Sequence, residues 1–248
     1  FGDLVYDVSV NSGFQKNRIK FWDETPGVPD YQKSTGHPMN SSLYYQAIGI
    51  FKDDAAVAAY PHWAGARPGD IIFEDVNKDE KIDGLDRKMN YKTDMPTFTG
   101  GMNINLSYKN IYSAIFVQWA TGAVVNSYYE MQGEAGNFLA SDANGRWTET
   151  NTDTNKPRTW NRYGEYWRDN ENNTYWLRNT DYMRLKNFEI GYSLPSLVNK
   201  IGLSGVRIYF NGTNLITLDK LTDFDPESTS ATAYPLNKTF NLGVNLTF

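Results

Sequence analysis

Apolar and polar residues alternate along several segments of the chain, most strictly over its last nine residues. Every second position there is apolar, and these positions are Phe240, Leu242, Val244, Leu246 and Phe248. The residues between them are Asn, Gly or Thr. Because successive side chains of a β-strand point to opposite faces, this pattern predicts a strand with one apolar and one polar face. The apolar face would pack in the core of a soluble sandwich or contact lipid in a membrane barrel.

The same alternation predicts further strands, which makes the fold class all-β. They cover residues 4–10, 102–108, 111–121, 182–194 and 206–210, and an apolar segment at Leu43–Phe51 brings the total to about seven. Lys109-Asn110 is predicted to form a tight hairpin turn. The apolar phase changes near Lys186-Asn187, which predicts a β-bulge. No long helix is predicted.

The links between the predicted strands differ in length in a regular way. Long links at about 52–97, 122–179 and 217–237 alternate with short ones at 109–110 and about 195–203. Outer-membrane barrels have long extracellular loops and short periplasmic turns. The lengths therefore favour an antiparallel transmembrane β-barrel segment, although the link at about 23–41 would be long for the periplasmic side.

Composition excludes several other classes. The mean hydropathy is -0.59, and there is no apolar run of about 18 residues, which argues against spanning helices but not against a barrel. A net charge of -5 argues against nucleic acid as a partner. The chain lacks cysteine and has two isolated histidines, and no catalytic motif surrounds any nucleophile, so we expect it not to be an enzyme. It starts at Phe1 without a targeting signal, and we expect it to be a piece of a longer protein.

Four motifs occur in a fixed order along the chain. They are Ala66–Ile71 running into Asp75–Asp79, Tyr182–Asn187 followed by Gly191–Pro195, Gly212–Leu215 with Phe224–Glu227, and Tyr234-Pro235 leading to Phe248. In order and spacing this set resembles the C-terminal region of the SusC/RagA family of TonB-dependent outer-membrane transporters. The resemblance covers nearly the whole chain.

This resemblance implies a location, a fold and partners. Residues 1–248 would form the C-terminal portion of a 22-stranded β-barrel in the bacterial outer membrane, with the plug domain and the TonB box outside this chain. The family imports oligosaccharides or peptides under a SusD-like surface lipoprotein, and energy comes from TonB–ExbB–ExbD through the N-terminal part. The expected partners are therefore these proteins, the rest of the barrel and plug, outer-membrane lipid and the imported substrate.

An acidic segment between residues 75 and 86 predicts a calcium site. Its candidate ligands are the side chains of Asp75, Asn77, Asp79, Asp83 and Asp86 and the backbone carbonyl of Lys81. Asp86 stands in the place of the usual Glu. Ca²⁺ binds six to eight oxygens, and carboxylates at alternate positions of a tight loop can converge on one ion. Glu80 stands where glycine normally makes the sharp turn. The alternative is an acidic, solvated turn.

Aromatic residues are concentrated in the long link at 122–179. Its tryptophans are the candidate substrate-binding residues, namely Trp147, Trp160, Trp167 and Trp176. Aromatic faces can stack on sugar rings. The alternative is that these side chains anchor the protein at the membrane interface or pack within the loop.

A soluble protein is the main alternative to the transporter. The same strands, aromatic residues and acidic loop could form a secreted, calcium-stabilised β-sandwich that binds carbohydrate. The final strand favours the barrel, because apolar residues at every second position up to Phe248 fit a signal for outer-membrane assembly. In this interpretation Phe240, Leu242, Val244, Leu246 and Phe248 face the membrane.

Overall fold

A computed structural model of the chain describes residues 3–127, 140–159, 172–195, 203–228, 230 and 233–248. The strands are β1 Leu4–Phe14, β2 Leu43–Tyr45, β3 Ala47–Ile50, β4 Ile71–Phe73, β5 Arg87–Met89, β6 Phe98–Tyr108, β7 Ile111–Thr121, β8 Val124–Asn126, β9 Leu177–Asn179, β10 Tyr182–Ser193, β11 Gly205–Leu218 and β12 Thr239–Thr247. The α-helices are α1 Asp54–Ala59 and α2 Ala140–Ala143, and short 3₁₀ turns lie at Asp30–Gln32, Gly84–Asp86 and Thr174–Trp176. The all-β fold class is confirmed.

Six long strands form one antiparallel sheet in the order β1-β6-β7-β10-β11-β12. The pairing of β6 with β7 runs without interruption from Phe98↔Thr121 to Tyr108↔Ile111. Lys109 and Asn110 alone join these two strands, and Lys109 takes the left-handed conformation that tight hairpin turns require, with φ 54°. The predicted hairpin is therefore present.

The prediction that Leu43–Phe51 forms a seventh strand of the main sheet is wrong. Residues 43–50 form two short strands, of which β2 pairs with β5 and β3 pairs with β4, outside the main sheet. The segment is apolar because Ile50 contributes to a small core with Ile71, Phe73 and Ile82. Apolar residues without strict alternation thus form the core of a loop, and the main sheet has six strands among the described residues.

The link predicted at about 23–41 belongs to a longer connection and does not lie on the side of the short links. Because β6 is the neighbour of β1 in the sheet, residues 15–97 form a single connection between these two strands. In an antiparallel sheet that connection leaves from the same end as residues 122–181 and 219–238. The short links, 109–110 and 194–204, lie at the opposite end. All long loops are therefore on one side, as in outer-membrane barrels.

The predicted β-bulge is present and is larger than expected. Relative to β7, strand β10 has one extra residue at Lys186. Relative to β10, strand β11 has a further extra residue, because Asn214 and Leu215 both lie opposite Lys186. Asn214 is left-handed, with φ 54°. Two of the motifs therefore meet in adjacent strands, where the bulges redirect the side chains that follow.

No helix among the described residues is long and apolar enough to cross a membrane.

Candidate functional site

One face of the six-stranded sheet is mostly apolar, with Ser113 as a polar residue within it. A row of paired residues across the strands illustrates this, and it consists of Tyr6, Leu106, Ser113, Ile190, Phe210 and Leu242. On β12, Leu242 is 79% exposed and Val244 is 57% exposed. Within the part of the chain that the structure describes, no second sheet covers this face. A soluble sandwich would bury such a surface, so its exposure favours the wall of a membrane barrel.

Aromatic residues border the apolar face at both ends. Phe14, Phe98 and Trp119 lie toward the long loops, and the Phe98 and Trp119 rings are 6.5 Å apart. Tyr108 and Tyr192 lie toward the short turns. The ten-residue step from Phe98 to Tyr108 corresponds to about 25 Å along the membrane normal for a strand tilted by about 40°. Both the height and the two aromatic borders match the lipid-facing band of an outer-membrane barrel.

The opposite face carries a hydrogen-bonded row of polar side chains. Asn105 Nδ2 donates to Asp7 Oδ1 at 3.3 Å. Asn211 Nδ2 donates to Glu189 Oε2 at 3.3 Å, and Asn241 Nδ2 donates to Asn211 Oδ1 at 2.9 Å. Such a surface requires water or other polar groups beside it, as in a barrel lumen.

Two tyrosines on the polar face lie flat over glycines of neighbouring strands. A Cβ atom added to Gly191 would come within 2.2 Å of the Tyr112 ring, and one added to Gly243 within 2.3 Å of the Tyr209 ring. The glycines therefore leave the space that the rings occupy. Tyr112 also donates its hydroxyl hydrogen to Glu189 Oε1 at 2.7 Å, which fixes the ring further.

A network of ion pairs joins the loop between β11 and β12 to the bulged part of β10. Arg184 is 1% exposed, and its Nη2 donates to both carboxylate oxygens of Asp225 at 2.8 Å. Arg184 Nη1 lies 2.8 Å from Glu227, and Lys186 Nζ contacts the same carboxylate at 2.8 Å. Asn214 Nδ2 also donates to the Asn237 carbonyl at 3.0 Å where the loop returns. Three sequence motifs thus cooperate to hold this loop against the polar face.

The motif that begins at Ala66 forms a turn within the long loops. Gly69 has a φ of 86°, which favours glycine, and its amide donates to the Phe51 carbonyl at 2.7 Å. Asp70 is fully buried, accepts from the Arg67 amide and pairs with Arg158 Nε at 2.6 Å. Burial raises the pKa of Asp70, and the charge of Arg158 opposes that shift. This turn connects the segments around residues 51, 69 and 158 and thereby organises the loops.

The acidic loop adopts a compact turn in which its side chains cap backbone amides. Asp75 accepts from the amides of Lys78 at 2.7 Å and Glu80 at 3.0 Å, and Asp79 accepts from Lys81 at 3.0 Å. Glu80 is left-handed, with φ 64°, at the position that usually holds glycine.

The remaining predicted calcium ligands differ in exposure. Asp86 is fully buried, and its two oxygens accept from the amides of Val76 and Asp83 at 2.8 Å each, which closes the base of the loop. Asp83 is exposed and accepts from the Leu85 amide. The structure places Asn77 and Asp79 in contact, with Asn77 Nδ2 donating to Asp79 Oδ2 at 3.0 Å. Among the described residues, no three His, Cys, Asp or Glu side chains converge as a metal site.

Two of the four candidate tryptophans have structural contacts in the long loops. Trp147 packs over Gly69 and donates from Nε1 to the Lys52 carbonyl at 3.1 Å. Trp176 is 5% exposed and stacks edge-on against Tyr175, so its ring offers little surface to a sugar. Trp160 and Trp167 lie outside the described residues.

Comparison with known proteins finds relatives that are TonB-dependent receptors. The chain is 28% identical to TonB-dependent receptor P3 of Formosa agariphila, over 99% of the chain and 27% of the relative. It is 25% identical to TonB-dependent receptor SusC of Bacteroides thetaiotaomicron, over 99% of the chain and 25% of the relative. No family model matches the chain. The chain spans about a quarter of the length of these two curated relatives.

Solved structures agree at the level of the fold. The structure of the RagAB peptide transporter superposes with a TM-score of 0.72 at 21% identity, over 100% of this chain and 28% of the other. The relatives are receptors and transporters, which agrees with the prediction that the chain is not an enzyme. The resemblance to SusC-like TonB-dependent receptors predicted from the motifs is thereby confirmed, and the chain has the fold of a fragment of such a barrel.

Proposed function

We propose that this chain forms part of the wall and the outer loops of a TonB-dependent importer of large nutrients in the bacterial outer membrane. The observation that carries the proposal is the sheet itself, which has an exposed apolar face, a polar opposite face and all its long loops at one end. These features suit a wall between lipid and an aqueous lumen. The whole importer would also contain a plug and the TonB-binding segment.

The cargo and the partners follow from the relatives by analogy. RagAB is described as a peptide importer, and SusC is a TonB-dependent receptor. We therefore propose oligosaccharides or peptides as the cargo, a SusD-like surface lipoprotein as a lid, and TonB–ExbB–ExbD as the source of energy. The candidate tryptophans Trp147, Trp160, Trp167 and Trp176 stay predictions for cargo contact. Of these, Trp176 is the weakest candidate because it is buried.

Uptake measurements test the proposal directly. Deleting the gene of the full-length receptor should abolish uptake of a fluorescent oligosaccharide or peptide that the wild-type cell imports. Deleting tonB should abolish the same uptake, because import against a gradient requires energy. Undiminished uptake in both deletion strains, across glycan and peptide libraries, would contradict the importer. Binding of glycans by the isolated secreted chain would favour the carbohydrate-binding alternative.

We also propose that the acidic loop binds one calcium ion through Asp75, Asn77, Asp79, the Lys81 carbonyl and Asp83. Asp86 would hold the base of the loop through the amides of Val76 and Asp83. The alternate spacing of the oxygens and the tight turn around Asp75 support the proposal.

A pair of substitutions with opposite expected effects tests the calcium site. Glu80→Gly should strengthen calcium binding by up to about 1 kcal/mol, because an ion would fix residue 80 in the left-handed conformation that Glu80 shows here (φ 64°), and glycine takes that conformation without a steric cost. Asp79→Asn should weaken binding, because it removes a carboxylate. Calcium titration of the full-length protein, followed by hydrogen exchange of residues 75–86, measures both. If neither substitution changes the titration, the loop is an acidic turn without an ion.

A further inference from the structure

Arg207 occupies a distinct position on the polar face of the sheet. It lies near the short-turn end of β11, paired with Ser193 on β10 and Asn245 on β12. Its guanidinium carbon is 4.8 Å from the centre of the Tyr112 ring and 5.6 Å from that of Tyr209. Both distances are within the range of cation–π contacts. The guanidinium is thus positioned by aromatic rings that belong to two strands.

The rings of Tyr112 and Tyr209 can hold the Arg207 guanidinium in place because other contacts fix the rings. Gly191 and Gly243 provide the surfaces against which Tyr112 and Tyr209 lie. The hydroxyl of Tyr112 is bonded to Glu189, and Glu189 also accepts from Asn211. Glu189 is therefore already bound by neutral donors, and the guanidinium faces a rigid aromatic surface.

The positive charge of Arg207 has no ionic partner within the described residues. Its Nε is shielded from solvent and makes no hydrogen bond there. Two other basic residues of the sheet do have ionic partners. Arg184 pairs with Asp225, and Lys186 pairs with Glu227. A partly buried, unpaired guanidinium is unfavourable, and a carboxylate is the group that best matches its planar pair of donors.

We propose that Arg207, held by Tyr112 and Tyr209, is a carboxylate-binding site on the lumen side of the barrel wall. The carboxylate comes from another part of the same polypeptide or from carboxylate-bearing cargo. The relatives are about four times as long as this chain, since it covers 27% of one of them, so further polypeptide is available to supply the group. The site rests on the proposed barrel, in which the polar face lines the lumen.

A zero-length crosslink identifies the bound group. In the full-length protein, Arg207→Lys keeps the charge and introduces an amine at this position. A water-soluble carbodiimide activates a carboxylate in contact with that amine. An amide bond then forms, the amine loses a proton, and the displaced carboxylate oxygen leaves in the urea. Native Lys186 serves as the control, because its Nζ lies 2.8 Å from Glu227.

Mass spectrometry with and without cargo separates the two sources. An amide between the introduced amine and a residue outside residues 1–248, formed without cargo, assigns the carboxylate to the same polypeptide. An amide that forms only with a carboxylate-bearing peptide assigns it to cargo. If the Lys186–Glu227 amide forms while the introduced amine stays free in both samples, the site is contradicted. If such a protein still transports cargo, only this site fails and the proposed function stands.

A measurement on the unaltered protein guards against misfolding of the variant. Phenylglyoxal modifies accessible guanidinium groups, and we expect Arg207 to be protected in the folded full-length receptor relative to Arg18, which is exposed. Modification of Arg207 as fast as that of Arg18, in the presence and absence of cargo, would contradict a bound carboxylate.

Discussion

Replacing Arg184 with alanine should destabilise the folded receptor by about 3–5 kcal/mol, the usual cost of removing one partner of a buried ion pair. Arg184 is almost completely buried, and its loss leaves the carboxylate of Asp225 without its two charge-assisted hydrogen bonds. The loop between β11 and β12 should then detach from the polar face. Urea unfolding of the full-length protein in bilayers measures the energy, and limited proteolysis near Asp225 measures the release of the loop.

Two matched substitutions show whether the effect belongs to the buried pair. Lys186→Ala should cost less, because the Lys186 side chain is more exposed and Glu227 keeps its contact with Arg184. Arg184→Lys should cost an intermediate amount, since lysine keeps the charge but cannot donate as a fork. Equal unfolding energies for Arg184→Ala and wild type would show that the network does not hold the loop.

An arginine on the apolar face should cost about 2–4 kcal/mol at the middle of the membrane. We expect this result for Val244→Arg, because Val244 is on the exposed apolar face of β12, paired with Ile208. The penalty arises from transferring a charge into hydrocarbon, and a soluble surface would impose no such cost. The unfolding free energy of the full-length protein refolded into bilayers measures it.

The control places the same charge on the other face of the same strand. Asn241 lies on the polar face, bonded to Asn211, which is in turn bonded to Glu189. Asn241→Arg should therefore lose about one hydrogen bond, worth roughly 0.5–1.5 kcal/mol, and should avoid the membrane penalty. A smaller loss for Val244→Arg than for Asn241→Arg would reverse the assignment of the two faces.

The main sheet could be predicted from the sequence because alternation acts over neighbouring residues. The strand at 102–108, its hairpin partner and the bulge at Lys186 all follow from a period of two and its interruption. The same reasoning gave a wrong prediction for Leu43–Phe51. Its apolar residues pack into a loop core around Phe73, and a short apolar run does not distinguish a barrel strand from such a core.

The contacts that position the loops could not be predicted, because they join residues far apart in the chain. Arg184 and Asp225 are 41 positions apart, and Asp70 and Arg158 are 88 apart. The motifs containing Arg184 and Asp225 were visible in the sequence, but their pairing was not. The contacts of Asp86 could not be predicted from the sequence either. Its spacing predicts a metal ligand, but the spacing alone does not show that Asp86 is buried and accepts from the amides of Val76 and Asp83.

Single cysteines along β12 test most directly whether the sheet separates lipid from an aqueous lumen. A fluorophore attached at position 242, 244 or 246 of the full-length receptor in liposomes should be quenched by lipids that carry nitroxide groups on their acyl chains. A fluorophore at position 241 or 245 should escape these lipids and be quenched by a water-soluble reagent. An alternating pattern is the predicted result. Equal quenching by lipid at both sets of positions, or none at either, would contradict the barrel wall.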